Sequence, residues 1–146
     1  MSQTFTLKDG SEVADKRLAR LVQFDERSRE YPIRATISPT AKPRSYTWSC
    51  RSYLDQGSEG ACVGFAMAHE LIARPSVVSG VTATEARNIY HEAQRIDPWA
   101  GGAYPGADPY YEGTSILAGI KILKEQGYID EYRWGFSLED LVLAVG

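Results

Sequence analysis

Asp55-Gln56-Gly57-Ser58-Glu59-Gly60-Ala61-Cys62-Val63-Gly64-Phe65-Ala66 is the stretch on which the reading of this chain turns. A glycine-rich turn runs directly into an apolar segment with a cysteine at its start. The segment predicts a helix from about Ala61 to Ala73, stopped before Pro75. The unpaired N–H groups and the dipole at a helix start favour the charged form of a thiol placed there. Gly57 and Gly60 permit the tight turn and let a bound backbone approach closely. Gln56 lies six residues before Cys62. Its side-chain amide is a candidate donor to an oxygen that turns negative when a carbonyl is attacked, with the Cys62 backbone N–H as the second donor.

Downstream, three more helices are expected. One runs from about Ala83 to Ile96, with Thr82 and Glu85 spaced as a capping box and Pro98 ending it. Another runs from about Ser115 to Gln126, capped by Thr114 or Ser115 and closed by Gly127. The last starts after Ser137, with Glu139 and Asp140 in its first turn. Asp97 to Gly113 is a long loop rich in Gly, Pro and Tyr, a kind that is usually functional or mobile. Its tyrosines Tyr104, Tyr110 and Tyr111 have two readings, as a cleft wall or as packing of the loop onto the third helix.

Upstream, residues 1–46 read differently. Thr4-Phe5-Thr6-Leu7 alternates and Lys8-Asp9-Gly10 is a turn signal, so a small strand or hairpin is expected. Ala14 to Phe24 carries Leu18, Leu21 and Val22 at helical spacing between charges, a short amphipathic helix. The charges from Asp15 to Glu30 read as a solvated face. Pro32, Pro39 and Pro43 then break up the stretch to Arg44, an extended tether over a surface.

The whole chain has 146 residues, 43% hydrophobic and 24% charged, which is globular composition on a one-domain scale and not that of a disordered chain. Its formal charge of −3 implies no basic face, so neither nucleic acid nor an anionic membrane is expected as a partner. Met1 to Glu12 is polar and lacks the apolar core of a secretion signal. Apolar runs such as Leu141 to Val145 fall far short of the ~20 residues that span a bilayer. A cytoplasmic or virion-associated protein is expected. Two cysteines are too few for a disulfide framework, and Cys50 reads as structural.

The Gln-Gly turn, the cysteine six residues on and the helix it opens resemble the papain-like cysteine peptidases, in their bacterial and phage-type form. The family's local pattern is C-G-[SA]-C-[WY]. Glu59-Gly60-Ala61-Cys62-Val63 agrees with it at three of five positions, and Phe65-Ala66 follows on similarly. A second match is Tyr111-Glu112-Gly113-Thr114-Ser115, then Ala118-Gly119 and Leu123-Lys124-Glu125-Gln126-Gly127. These residues are similar to the segment and helix that line the family's substrate cleft. Trp48 resembles the aromatic near the start of the family domain. The resemblance covers about Tyr46 to Gly146.

The resemblance implies a mainly α structure within an α+β family. Residues 47–146 would be the left-hand helical half of a papain-like fold. Residues 1–46 would be an N-terminal extension, a tether or a propeptide-like segment, and the β-rich half would lie outside this chain. The implied chemistry is thiol attack on a peptide or isopeptide carbonyl of a peptide or protein substrate. Cys62 would be the nucleophile and Gln56 part of the oxyanion hole. Gly60, Tyr111, Glu112, Gly113 and Thr114 would bind substrate. No metal and no organic cofactor is needed.

Three departures shape the expectation. Glu59 stands where the family has its first cysteine, so the local disulfide is absent. Val63 stands where the family has an aromatic. The family's His and Asn follow the nucleophile by roughly 130–150 residues, well past Gly146. His69 shares the Cys62 helix but lies about 10 Å further along its axis, out of reach of a ~3 Å hydrogen bond. His91 sits beside Glu92 and Arg95, and both histidines read as rim residues. The base would come from a β half-domain in cis or from a second chain supplying His and Asn, and an apolar face should be present to receive it. A fainter resemblance, of Ala61 to Phe65, is to cell-wall amidases and endopeptidases with a D-C-S-G-like motif. Their base follows in a nearby strand, and no histidine follows His91 here. The alternative from another class is a non-catalytic structural or interaction protein, such as a phage particle component, retaining the half-fold.

Overall fold

The computed structural model describes residues 5–6, 12–13, 25–50 and 52–145, and within them the chain is mainly α-helical. The central element is α1 (Cys62–Ile72). Val63, Met67 and Leu71 pack on one flank with Ile89, Ala93, Ala118, Ile122 and Leu123. Phe65 and Ala68 pack on the other with Ala86 and Tyr90. Only Cys62, Ala66 and Glu70, one turn apart from each other, remain exposed. Burial of a side chain such as Leu71 contributes about 1.5–3 kcal/mol, so α1 is held by packing rather than by a cap. Its N-cap is Ala61, whose side chain bonds nothing. Its C-cap Ala73 is extended, just ahead of Arg74-Pro75.

Two further helices flank it. α2 (Ala83–Ile96) begins with the predicted capping box: Thr82 Oγ1 accepts from the Thr84 N–H and the Glu85 carboxylate accepts from the Thr82 N–H at 3.0 Å. α1 and α2 touch closely at Gly64, where a Cβ would stand 2.2 Å from the Ala86 carbonyl oxygen. α3 (Ile116–Glu125) is capped by Ser115, whose hydroxyl accepts from the Ala118 N–H at 3.1 Å. It closes with Gly127 N–H to Lys124 O and Tyr128 N–H to Leu123 O, a helix end built as the glycine signalled.

α4 (Leu138–Val145) is anchored differently. The Ser137 hydroxyl accepts from the Asp140 N–H at 3.0 Å, and the Asp140 carboxylate accepts from the Phe136 N–H at 2.9 Å and from Arg34 Nε. Arg34 also reaches Glu139 at 2.7 Å. Leu138, Leu141, Val142 and Val145, at helical spacing, stay exposed.

The stretch read as a tether over a surface is docked at its start. Residues Glu26–Glu30 and Ile33–Ala35 form short 3-10 turns. The Ile33 N–H donates to Trp134 O at 2.9 Å and the Trp134 N–H donates to Tyr31 O at 2.7 Å. The rings of Tyr31 and Tyr132 meet at 4.8 Å. Residues 41–49 are then exposed, without helix or strand. The expected hairpin is present as β1 (Phe5–Thr6) paired antiparallel with β2 (Glu12–Val13). Its turn at Lys8-Asp9-Gly10 and the amphipathic stretch 14–24 lie outside the described residues. No helix among the described residues is long and apolar enough to cross a membrane.

Candidate functional site

The turn before α1 is built from its own side chains. Asp55 Oδ1 accepts from the Gly57 N–H at 2.8 Å, and Gly57 takes a φ of +64°. Gln56 Nε2 donates to the Glu59 carbonyl at 2.7 Å, closing the loop upon itself. A primary amide has two hydrogens, so this bond orients the Gln56 amide and leaves it a second donor. The chain then passes Gly60 and buried Ala61 and enters α1 at Cys62, which is exposed. Gln56 and Cys62 line the same cavity, of about 360 Å³, together with Tyr53, Phe65, Ala66 and His69.

Gly60 joins this turn to the loop ahead of α3. A Cβ at Gly60 would stand 2.7 Å from Glu112 Cβ and 3.5 Å from the Gly113 nitrogen. The structure therefore brings Gln56, Gly60, Cys62, Glu112 and Gly113 into one region. The hydroxyls of Tyr111 and Thr114 are engaged by Asp97 instead. The Tyr111 hydroxyl donates to both Asp97 oxygens at 3.0 Å, and the Thr114 hydroxyl donates to Asp97 Oδ2 at 2.6 Å. Burial and the Asp97 carboxylate raise the Tyr111 phenol well above its ordinary value. Of the three loop tyrosines, Tyr111 packs the loop and Tyr104 lies under Arg95, whose guanidinium is 3.9 Å from the ring centroid. Tyr110 stays exposed, with its hydroxyl on Glu112 Oε1 at 2.9 Å.

Two residues that organise the site carry no motif. Gln94, 1% exposed, donates from Nε2 to Tyr90 Oη, Tyr111 O and Gly113 O and accepts the Ala103 N–H at 2.8 Å. Tyr90 Oη in turn accepts the Gly113 N–H at 2.8 Å. Burial pushes the Tyr90 phenol up to about 12, so it stays protonated at neutral pH. Asp97 is the second, holding Tyr111, Thr114 and the Trp99 N–H. The available signal was an amide on the apolar face of α2 that carries Ala86, Ile89, Tyr90 and Ala93.

The two histidines lie in different places. His69 Nε2 accepts the Leu54 N–H at 3.0 Å, which puts the ring proton on Nδ1 and pins the entry to the Gln56 turn. His91 lines a separate cleft with Glu59, Gly60 and Arg87. Burial, and then Arg95, lower its pKa below the ordinary histidine value. Among the described residues neither histidine bonds the Cys62 thiol, and no group of three His, Cys, Asp or Glu side chains is placed to hold a metal. Cys50 is also exposed, and its thiol donates to Ser52 O at 2.9 Å.

Compared with family models, with curated proteins and with solved structures, the chain has no match in any of the three.

Proposed function

We propose that this chain is the nucleophile-bearing helical half of a papain-like cysteine peptidase. The observation that carries the reading is Cys62, an exposed thiol on the first residue of α1, sharing a cavity with Gln56. Cys62 attacks the carbonyl of a peptide or isopeptide bond. Its own backbone N–H and the second hydrogen of the Gln56 amide hold the oxyanion that forms. Gly60, Glu112 and Gly113 line the substrate path, and Tyr111 and Thr114 hold its shape through Asp97. The general base is a histidine from a β-rich half, in cis or on a second chain. The exposed side chains of α4, Leu138, Leu141, Val142 and Val145, are an apolar face of the kind such a half would cover.

Competitive alkylation of the two thiols tests this. Cys62 is expected to react several-fold faster than Cys50 near neutral pH, faster still once the β half is added. Equal rates at the two thiols in the full assembly would sink the reading. The second reading, a non-catalytic structural or interaction protein, is favoured by the engagement of His69 with Leu54 rather than with the thiol. It requires Cys62→Ala to leave the biological role intact.

A further inference from the structure

The cavity that holds Cys62 extends well past the thiol. It follows the exposed stripe of α1 and is bounded on one side by the segment from Tyr53 to Gln56. Cys62 and His69 both line it, seven residues and thus about 10 Å apart along the helix axis. Between them stands Ala66, exposed and with only a methyl group, which leaves the hollow open. The volume, about 360 Å³, lies in the lower part of the ~300–1,000 Å³ range of small-molecule sites and admits one aromatic side chain with its backbone. Two observations give the end at His69 a chemistry. The Tyr53 ring is 86% exposed and tilted at 41° to the His69 ring, with centroids 6.1 Å apart, so two aromatic faces form a corner that a third ring can complete. The His69 Nε2 is occupied by the Leu54 N–H, which leaves Nδ1–H as a donor. Among the described residues this N–H has no hydrogen-bond acceptor. A ring entering the corner is matched best when its far edge carries an oxygen that can accept.

We propose that this cavity binds the side chain of a tyrosine in a peptide, its ring on Ala66 against Tyr53 and its hydroxyl oxygen accepting from His69 Nδ1–H. The backbone carbonyl of that tyrosine then lies toward the Cys62 end, where the Gln56 amide has its second hydrogen. On the peptidase reading above, on which this point alone rests, tyrosine is the substrate residue next to the scissile bond. The binding itself requires no catalysis.

The test is a titration of the isotope-labelled full chain, read on the Leu54 and Ala66 amides and on the His69 ring. The probes are Nα-acetyl-tyrosine N-methylamide and its phenylalanine and leucine counterparts. Phenylalanine is expected to bind several-fold more tightly than leucine, and tyrosine about fivefold more tightly than phenylalanine, as a ring contact and one neutral hydrogen bond allow. The His69 Nδ1–H signal should shift with tyrosine and not with phenylalanine. Ala66→Leu, on the exposed stripe, should abolish binding of all three probes with an unchanged urea midpoint. Tyr53→Ala should bring phenylalanine down to the leucine level. Equal binding of tyrosine and phenylalanine to the unaltered chain, or tyrosine binding that survives Ala66→Leu, overturns the proposal. If tyrosine binds but Cys62 is alkylated no faster than Cys50, the cavity stands as a tyrosine site and the peptidase reading falls. Fast Cys62 with no tyrosine preference gives the reverse.

Discussion

Gly60 is seated directly against Glu112, with no room for a methyl group between them: a Cβ at Gly60 would lie 2.7 Å from Glu112 Cβ and 3.1 Å from its carboxylate oxygen. This contact couples the turn that delivers Cys62 to the loop that precedes α3. Gly60→Ala should push the two apart and lower stability by about 1–3 kcal/mol, the usual cost of an overpacked contact. The urea midpoint and the Glu112 and Gly113 amide shifts report it, and no change in either would refute the coupling.

Gly64→Ala should be the harsher change. Its methyl group would meet the Ala86 carbonyl oxygen at 2.2 Å, a backbone atom of a packed helix that cannot rotate aside. The loss should reach or exceed the upper end of that ~1–3 kcal/mol range. Equal urea midpoints for Gly60→Ala and Gly64→Ala would contradict the close crossing of α1 and α2.

Gln94→Leu keeps the volume but strands half-buried polar groups. The Ala103 N–H and the carbonyls of Tyr111 and Gly113, all on half-buried residues, lose their partner, and a group left unsatisfied out of reach of water costs about 1–3 kcal/mol. The expected result is a large loss of stability together with faster amide exchange at Ala103. Exchange at Ala103 that stays slow in Gln94→Leu would show the network to be dispensable.

His69→Ala removes the acceptor of the Leu54 N–H and should speed exchange of that amide while leaving α1 intact. His69→Gln, which offers an acceptor at similar reach, should restore protection in part. Unaltered Leu54 exchange in His69→Ala would remove the histidine from its positioning role.

Asp140 makes the docking of α4 pH-dependent. Its carboxyl is held below the usual range, first by the Phe136 N–H and then by Arg34 and Ser137, against the upward push of burial. A depressed carboxyl pKa contributes stability that is present above the unfolded value, near 3.9, and lost as pH falls through the folded value. Stability should therefore drop in acid, and Asp140→Asn should start lower at neutral pH and show a shallower acid decline. Parallel acid profiles for the two proteins, from urea midpoints at a series of pH values, would assign the decline elsewhere.

Local signals were legible because their physics is local. Thr82, Glu85 and Pro98 bracket α2 as expected, and Ser115 and Gly127 bracket α3. The hydroxyls of Tyr111 and Thr114 were not assignable, because their partner Asp97 lies 14 and 17 residues away in an irregular loop. Gln94 was invisible for the same reason: an amide on a helix declares itself only through carbonyls that another segment supplies. The three prolines from Pro32 to Pro43 signalled a tether over a surface, but not which surface: Tyr31 to Arg34 docks on residues about a hundred positions later. Of the candidate site, Gln56, Gly60, Cys62, Glu112 and Gly113 share one region, while the two flanking side chains hold the loop.

The exposed stripe of α1 has a consequence for how this chain tolerates change. Cys62, Ala66 and Glu70 sit on the element whose buried side chains build both halves of the core. Substitutions along the stripe should therefore be nearly neutral for folding, within about 0.5 kcal/mol. Substitutions at the buried neighbours Val63, Phe65, Met67 and Leu71 should be severe. The solvent-facing edge of α1 is thus free to be rewritten without endangering the scaffold that presents it, a separation of surface from stability within a single helix of eleven residues.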